Sequence, residues 1–377
     1  MNRQRLINLF AAMAAITVFG FTLGLMFPLL SIVMERQGVP PVMIGYNTAM
    51  QPLGILLAGF FIPQAVQKFG ARLAIMGAAF AVAAIVLLYP ITPVYWGWFG
   101  LRMAQGFFVS CLFAVSEAMI VKFAEGPWRS RILALYTSVL ALSFGGGPLL
   151  IVYTGTDTAL PFMVGAAVLV LATLPLYFLD DPATEPHTAD TTAFAFAPKA
   201  PVLLLAVMVF AVIDAANLGF LPVYGLKRGL DEETSALLLS AFIFGNVVLQ
   251  FPIGWLADHA NKRAVMAACG IATAVACALI PASFGTPVMW MLLLVAGAAS
   301  AGIYTTALAE LGDRFSGNDL VAGTAAFSTC WGTGALIGAL MSGWAFAGFG
   351  PDGFLYMQAA IFAVFLAAIA MRTAAKR

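Results

Sequence analysis

The sequence predicts an all-α membrane protein of twelve transmembrane helices in two related six-helix bundles. Of its 377 residues, 62% are hydrophobic and 9% are charged, whereas roughly 25% of residues are charged in an ordinary soluble domain. Long apolar runs recur along the chain, and features of the first half return in the second. This composition excludes a soluble enzyme and a disordered chain. The net charge of +1 gives no basic surface of the kind that nucleic-acid-binding proteins carry.

Charged residues and proline- or glycine-rich points divide the chain into twelve apolar segments. Each approaches or exceeds the roughly 20 residues that a helix needs to cross a bilayer. We predict spans at 6–34, 42–66, 73–92, 95–123, 131–153, 160–179, 201–226, 234–257, 264–284, 288–312, 321–347 and 353–371. The first apolar segment is far longer than that of a signal peptide, so we expect it to be the first span.

The longest polar segment lies between spans six and seven, at residues 180–200. It contains Pro182, Pro186 and Pro198 together with four acidic residues, a composition typical of a flexible linker. We therefore predict an N-terminal six-helix bundle at 1–179, a cytoplasmic linker at 180–200 and a C-terminal six-helix bundle at 201–377.

The distribution of Lys and Arg predicts the orientation in the membrane. Fourteen of the 18 basic residues lie on the side that holds both termini. The opposite side holds only Arg36, Lys227 and Arg228, and Arg102 lies within a span. Because cytoplasmic loops carry the excess of basic residues, both termini are expected in the cytoplasm, in the inner (plasma) membrane of a bacterium.

The two halves repeat at a constant spacing. Gly54 and Gly245 are 191 residues apart, as are Gly106 and Gly297. Parallel duplicated halves commonly enclose a substrate pathway near the middle of the bilayer. The duplication therefore indicates a transporter.

Two motifs stand out in the sequence: Gly254-Trp-Leu-Ala-Asp258-His259-Ala-Asn261-Lys262-Arg263 and Arg102-Met-Ala-Gln105-Gly106. With the overall layout, they resemble the major facilitator superfamily over essentially the whole chain. The first approximates its loop signature, and the second matches its Arg-x-x-Gln-Gly signature. In the first half, Pro63 and Gln67 replace the Gly and Asp of the loop signature. Within the superfamily, Ser116-Glu117 and the 131–136 run are similar to the YcaD-type branch.

The resemblance implies transport by alternating access through a monomer. It also implies a role for Arg102 in proton coupling and an inner latch that includes Asp258 and Arg263. Because Pro63 and Gln67 replace two residues of the loop signature in the first half, a non-transporting sensor or assembly factor is an alternative.

Four charged residues stand out within the predicted spans, because a charge costs about 2.5–3.5 kcal/mol at the centre of the bilayer. They are Asp214, Arg102, Glu117 and Glu310, and we predict that they take part in proton coupling. Burial favours the protonated carboxyl of Asp214, which would let it bind and release a proton as access alternates. The alternatives are an Asp214 that only packs helices together and an Arg102 that extends to the outer interface.

Glu117 and Glu310 lie near the inner ends of spans four and ten, close to basic residues. They fit ion pairs that close the cytoplasmic side, or static structural pairs. We predict a cytoplasmic gate formed by Asp258, Lys262, Arg263, Arg314, Lys68 and Arg72.

Polar and aromatic residues within the spans are candidates for substrate binding. Asn47 and Gln51 are one helical turn apart, as are Asn246 and Gln250. Asn217 lies on the same helical face as Asp214, and Tyr304 and Trp331 could supply an aromatic wall. For the amide side chains, hydrogen bonding between helices is an equally good interpretation.

The sequence thus predicts a proton-coupled secondary transporter whose partners are a small-molecule substrate, protons and the lipid bilayer. Intramembrane acids outnumber Arg102, which favours export of a neutral or cationic compound in exchange for protons. Uptake of a small polar metabolite by proton symport remains open. We expect no cofactor and no metal, because the sequence has no phosphate-binding loop and His187 and His259 lie far apart. The sequence has no Ser/His/Asp, metal-binding or paired-carboxylate arrangement with a workable spacing, so we do not expect an enzyme.

Overall fold

A computed structural model describes residues 3–92, 95–123, 129–179 and 196–374, and the regular structure in these residues is helical. The α-helices in these ranges are α1 (Arg3–Arg36), α2 (Pro41–Leu88), α3 (Trp96–Phe123), α4 (Arg129–Thr154), α5 (Leu160–Thr173), α6 (Pro201–Lys227), α7 (Glu232–His259), α8 (Lys262–Leu279), α9 (Pro287–Arg314) and α10 (Gly317–Ala374). Short 3₁₀ helices occupy Tyr89–Ile91, Leu174–Phe178 and Ala197–Lys199.

Two of these helices each contain two of the predicted spans. The long α2 bends at Gly70, where φ is 81°, and α10 bends at Gly350, where φ is 72°. Only glycine adopts such a positive φ without steric cost, so each glycine allows the chain to turn back between adjacent spans. Ten helices in the described ranges are long and apolar enough to cross a membrane, and the two bends divide them into the twelve segments that the sequence predicts.

The turn that Gly70 makes in the first half is made by a capping residue in the second. Asn261, 191 residues later, precedes α8, and its side-chain oxygen accepts hydrogen bonds from the backbone N–H groups of Arg263 at 2.9 Å and Ala264 at 3.3 Å. These bonds satisfy donors that the first turn of a helix leaves free. The same bend is thus produced by two different residue types.

The chain forms two compact units. The first comprises Met1–Val39 and Met50–Pro186, and the second comprises Pro40–Ala49 and His187–Arg377. The start of α2 is therefore part of the second unit. There, a Cβ added at Gly343 would press against the backbone of Pro41 and Val42, so the absence of a side chain permits this contact.

Glycines bring helix backbones together in the first unit. A Cβ at Gly54 of α2 would overlap the carbonyl oxygen of Met103, and one at Gly106 of α3 would overlap that of Gln51. Small residues at such points let membrane helices approach closely. The α2–α3 contact is consequently intolerant of larger side chains.

The second unit repeats this contact between α7 and α9. A Cβ at Gly245 would overlap the carbonyl oxygen of Leu294, and one at Gly297 would overlap that of Phe242. Each of these four residues lies 191 positions after its counterpart in the first unit. The spacing found in the sequence therefore corresponds to the same helix-packing geometry in both units.

Ion pairs fix the C-terminal ends of α1 and α6. Arg36 Nη1 lies 2.5 Å from Asp157 Oδ1 and also donates to the hydroxyl of Thr156 at 3.0 Å. In the second unit, Arg228 pairs with Asp352 and donates to the carbonyl of Pro281 at 3.3 Å. Two of the three basic residues predicted for the outer side thus tie a helix end to a neighbouring segment of the same unit.

Candidate functional site

Asp214 lies in the middle of α6, the most buried of the second unit's helices. In the most apolar stretch of α6, 78% of residues are buried, against 28% for α7. Ile213 and Ala215 on either side are buried, whereas Asp214 is half-buried. Among the described residues, no hydrogen bond or ion pair to its carboxylate is found. The carboxylate is therefore available to a partner from outside the protein.

Asn217, three residues after Asp214, is engaged with another helix segment. Its Nδ2 donates to Gln358 Oε1 at 3.1 Å and to the carbonyl of Ile213 at 2.9 Å, while Gln358 Nε2 donates to Asn217 Oδ1 at 3.2 Å. The thiol of Cys277 donates to Gln358 Oε1 at 3.6 Å. This closed network ties α6 to α8 and α10 and leaves Asn217 little capacity for a substrate.

The two predicted aromatic residues lie on neighbouring helices. The Tyr304 ring of α9 has its centroid 5.2 Å from that of Phe210 in α6 and 6.5 Å from that of Phe327 in α10. Trp331 is half-buried and follows Phe327 by one helical turn. Aromatic rings from three helices therefore form a continuous row, and Phe210 lies one turn before Asp214.

Arg102 is fully buried in α3 of the first unit. Its Nη2 donates to the carbonyl oxygens of Met26 at 3.2 Å and Phe27 at 3.4 Å, and its guanidinium carbon lies 5.2 Å from the centre of the Phe27 ring. Among the described residues, its Nε and Nη1 have no hydrogen-bond partner. Arg102 is thus enclosed by the protein with two nitrogens that the described residues do not satisfy.

Hydrogen-bonded polar side chains lie around Gln105, on the turn of α3 that follows Arg102. Gln105 Oε1 accepts a hydrogen bond from the hydroxyl of Tyr89 at 2.7 Å, and the carbonyl of Tyr89 accepts one from Trp98 Nε1 at 3.0 Å. Gln51 lies across the α2–α3 contact against Gly106 and is fully buried, and neither of its side-chain amide atoms is hydrogen-bonded to a described residue. The structure thus brings Gln51 to the level of the Arg-x-x-Gln-Gly motif.

The other predicted amide residues occupy different environments. Asn47 is buried in the part of α2 that belongs to the second unit, so it and Gln51 pack in different units. Gln250 Nε2 donates to the hydroxyl of Thr305, which ties α7 to α9. Asn246 is half-buried. The Gln250 contact is the interhelical bond that the sequence left as an alternative.

Glu117 is exposed near the end of α3. Beside it, the Ser116 and Tyr136 hydroxyls are 3.0 Å apart and form a hydrogen bond between α3 and α4. The side chains of its predicted basic neighbours, Lys122, Arg129 and Arg131, lie outside those described.

Glu310 joins two arginines at the end of α9. Its Oε1 lies 3.0 Å from Arg314 Nη1 and 3.4 Å from Arg263 Nε. The side chain of Glu310 is 10% exposed, and no described residue hydrogen-bonds its buried Oε2. Next to this group, Lys262 Nζ pairs with Asp313 Oδ2 at 2.6 Å. These contacts hold the start of α8 against α9.

The remaining predicted gate residues have other contacts. Asp258 is exposed, and Arg263 pairs with Glu310 instead of with Asp258. In the first unit, Arg72 donates to the backbone carbonyl of Tyr177, and Lys68 lies 5.2 Å from the centre of the Phe69 ring. Within the described ranges, Lys68 and Arg72 make no ion pair that would match the Glu310 group.

Several residues of these clusters were not anticipated. Gln358, Asp313 and Tyr89 each complete a hydrogen bond or ion pair with a residue that the sequence did single out. Tyr89 is followed by a proline at the end of an apolar run, a weak sequence signal. Among the described residues, no group of three His, Cys, Asp or Glu side chains is placed to hold a metal ion, and His187 lies outside those residues.

Comparison with known proteins gives the same architecture. The family model of the Major Facilitator Superfamily matches residues 11–238 and 203–377. The uncharacterized MFS-type transporter YfkF of Bacillus subtilis is 26% identical over 89% of this chain and 88% of its own length. An uncharacterized MFS-type transporter of Yersinia pestis is 23% identical over 88% of this chain and 86% of its own length.

Solved structures resemble the whole chain. The nucleoside transporter NupG superposes with a TM-score of 0.80 at 12% identity, over 98% of this chain and 99% of that one. A bacterial homologue of the human lysosomal transporter Spinster, in an inward-facing and unoccupied conformation, gives a TM-score of 0.77 at 14% identity over 98% and 96% of the two chains. At these identities the likeness establishes the fold. The family match over residues 11–377 shows that this chain belongs to the Major Facilitator Superfamily, whose members are membrane transporters and not enzymes.

Proposed function

We propose that this transporter couples the movement of a small molecule to protons and that Asp214 is the proton-binding group. The observation that carries the proposal is the half-buried carboxylate in the middle of α6, which has no ion-pair or hydrogen-bond partner among the described residues. A charge held there without a partner is costly, so a proton or a cationic substrate must neutralise it during the cycle. Such a group, exposed alternately to the two sides, links proton movement to substrate movement.

The favoured direction is export of a neutral or cationic compound in exchange for protons. Near the middle of the helices of the second unit, Asp214 has no basic residue to balance it, because the Lys and Arg residues of α6 to α10 lie at helix ends. A site with this charge attracts cations and repels anions. In this cycle, a proton entering from outside would displace the bound compound.

A second candidate is uptake of a small polar metabolite by proton symport. It is favoured by Arg102, whose buried Nε and Nη1 have no acceptor in the part of the chain that the structure describes. A carboxylate or phosphate group of a substrate would satisfy both nitrogens. Under either candidate, Arg102 tunes the coupling through the backbone carbonyls of α1 that it binds.

The Glu310 group supports the proposal of a cytoplasmic gate. Arg263, Arg314 and Glu310, with Lys262 beside them, hold two helices of the second unit together at one end. We propose that these contacts form and break as access to the cytoplasm closes and opens. We include four further residues in this proposed gate because they lie near the predicted inner ends of helices: Glu117, Asp258, Lys68 and Arg72.

The proposed setting is the inner (plasma) membrane of a bacterium, with both termini in the cytoplasm and the protein acting as a monomer. Residues 180–200 would form a cytoplasmic linker between halves at 1–179 and 201–377. The variant Lys376→Cys tests the position of the C-terminus. A thiol reagent that cannot cross the membrane should label this cysteine only after the cells are permeabilised, and labelling of intact cells would contradict the proposed orientation.

Charge movement on a solid-supported membrane tests the proposed function. Liposomes containing the purified protein would be challenged with organic cations, sugars, amino acids and organic acids at pH 6 and pH 8 (two values that bracket neutrality). We expect one class to evoke a current that depends on pH and that Asp214→Asn abolishes. A current that persists unchanged in the variant would exclude Asp214 as the coupling group. No current from folded protein with any class would favour the non-transporting alternative.

A further inference from the structure

Arg102 holds a positive charge inside the first unit, and no described acidic side chain neutralises it. The side chain is fully buried, and only its Nη2 finds acceptors among the described residues, the carbonyls of Met26 and Phe27. Glu117, on the same helix, follows Arg102 by 15 residues, about 22 Å along the helix axis. Glu35, on α1, follows Phe27 by eight residues, about 12 Å along that helix. A buried charge is costly unless it is paired, so Arg102 requires a counter-charge from elsewhere.

The side chains beside Arg102 present further hydrogen-bond donors. Gln105 lies one turn later on the same face of α3 and is fully buried. Its Oε1 accepts from the hydroxyl of Tyr89 at 2.7 Å, while its Nε2 has no acceptor among the described residues. The phenol of Tyr89 lies close enough to Arg102 to act on it electrostatically, but it is neutral at pH 7. Arg102, Gln105 and Tyr89, called here the Arg102 cluster, therefore offer a positive charge and unused N–H groups.

The second unit shows that the fold does not need this cluster. The glycine contact between α2 and α3 recurs between α7 and α9 at the 191-residue spacing, so the two halves can be compared position by position. Ordinary apolar packing fills the corresponding place in the second unit, because three buried residues stand where Arg102, Gln105 and Tyr89 would be: Leu293, Ala296 and Ile280. The polar cluster is thus an addition to one unit, as expected of a ligand site.

We propose that the Arg102 cluster binds a small inorganic anion, a halide such as chloride, within the first unit. Arg102 Nε and Nη1 and Gln105 Nε2 donate hydrogen bonds to the anion, and its charge neutralises the guanidinium. The full burial of both side chains favours a monatomic ion over the carboxylate or phosphate of a larger molecule. The inference goes beyond the proposed function, because a resident anion supports the fold and occupies the nitrogens that an acidic substrate would need.

Thermal unfolding of the full-length protein in detergent tests the site. Sodium gluconate would be replaced stepwise by sodium chloride or sodium bromide at constant ionic strength. We expect the melting temperature to rise by several degrees and to level off as a single site fills. Gluconate is too large for the enclosed site and should not substitute for the halide. A melting temperature that is the same in gluconate, chloride and bromide would overturn the proposal.

The variant Gln105→Glu places a carboxylate where the anion is proposed to bind. It should lose the halide dependence and be as stable in gluconate as the wild type is in chloride. Arg102→Leu, which introduces the residue found at position 293, should also lose the dependence. The matched control is Arg228→Leu, which removes a basic residue paired with Asp352 in the second unit and should keep the full halide-dependent shift. A shift in Gln105→Glu or Arg102→Leu that equals that of the control would overturn the assignment.

Anomalous diffraction from crystals grown in sodium bromide locates the ion. We expect a bromide peak within hydrogen-bond distance of Arg102 Nε and Gln105 Nε2, and bromide peaks at other places alone would overturn the site. Asp214→Asn should keep the halide dependence, so the two proposals can fail separately. Loss of the halide site with Asp214-dependent currents intact would overturn this inference alone, and a halide site without proton-coupled currents would overturn only the proposed function.

Discussion

Asn217 and Gln358 exchange two hydrogen bonds, at 3.1 and 3.2 Å, although 141 residues separate them in the chain. Both side chains are buried, and each amide supplies one donor and one acceptor to the other. The sequence left two roles for Asn217, substrate binding and hydrogen bonding between helices. In the structure, the polar atoms of Asn217 bond to another helix. Its role is to hold the helix that carries Asp214 in place.

Removing this pair should reduce stability without changing the affinity for substrate. We expect a coupling energy of about 0.6–1.7 kcal/mol between Asn217→Ala and Gln358→Ala, as found for hydrogen bonds between membrane helices. Thermal unfolding of the two single variants and the double variant in detergent measures it. A variant of Asn217 that unfolds like the wild type but has lost substrate affinity would show that Asn217 binds the substrate instead.

The close contact at Gly106 should not tolerate even a methyl group. A Cβ at this position would overlap the carbonyl oxygen of Gln51, so Gly106→Ala must separate α2 from α3. We expect a loss of about 1–3 kcal/mol of stability. Gly77→Ala is the matched control, because nothing lies within 4 Å of the added Cβ. In the control, the better helix propensity of alanine should keep or raise the melting temperature.

Glu310 should contribute more to stability than Asp313, although both are acidic residues at the end of α9. Glu310→Ala leaves Arg263 and Arg314 without their shared acceptor, at an expected cost of about 1–3 kcal/mol. Asp313→Ala removes an ion pair whose Asp313 side chain is 63% exposed, and such pairs contribute about 0–1 kcal/mol. Chemical denaturation of both variants in the same detergent compares them. Equal losses would mean that the Glu310 group is no stronger than a surface pair.

Asp231 should make the stability of α7 depend on pH. Its carboxylate caps this helix by accepting hydrogen bonds from the Thr234 backbone N–H at 2.6 Å and the Thr234 hydroxyl at 3.1 Å. These bonds hold the pKa of Asp231 below its ordinary value. The stabilisation is therefore present above the unfolded pKa of about 3.9 and is lost as the pH falls through the folded value.

The variant Asp231→Ala measures this contribution. At pH 7 it should be less stable than the wild type by about 0.5–2 kcal/mol, the usual effect of losing an N-cap. The difference should shrink as the pH falls below the unfolded pKa of about 3.9 towards the lower pKa of the folded state. Asp231→Asn retains a capping oxygen without the charge, so its difference from the wild type should be smaller at pH 7 and should also shrink as the pH falls. A difference for the Ala variant that stays constant down to pH 3 would contradict the assignment.

Hydropathy predicted the twelve segments because it depends on local composition. The 191-residue repeat predicted that these segments form two related halves. Gly54 and Gly106, with their partners in the second half, could be recognised from spacing alone. The sequence also singled out Asp214 and Arg102, since a charge within an apolar run is conspicuous.

The partners of these residues could not be predicted in the same way. Arg102 binds the backbone carbonyls of Met26 and Phe27, which every residue type possesses and no sequence pattern marks. Arg263 pairs with Glu310, although Asp258 is much closer in the sequence. Which residues meet across helices depends on helix rotation and separation, and apolar periodicity fixes neither when a helix is hydrophobic on all faces.

Accumulation driven by a pH gradient tests proton coupling through Asp214 most directly. Proteoliposomes with an acidic interior would be given a radiolabelled substrate identified by the current measurements, with and without an ionophore that collapses the gradient. We predict uphill accumulation by the wild type that the ionophore abolishes, and none by Asp214→Asn with equal amounts of folded protein in the membrane. Accumulation by Asp214→Asn that still follows the pH gradient would contradict the role of Asp214.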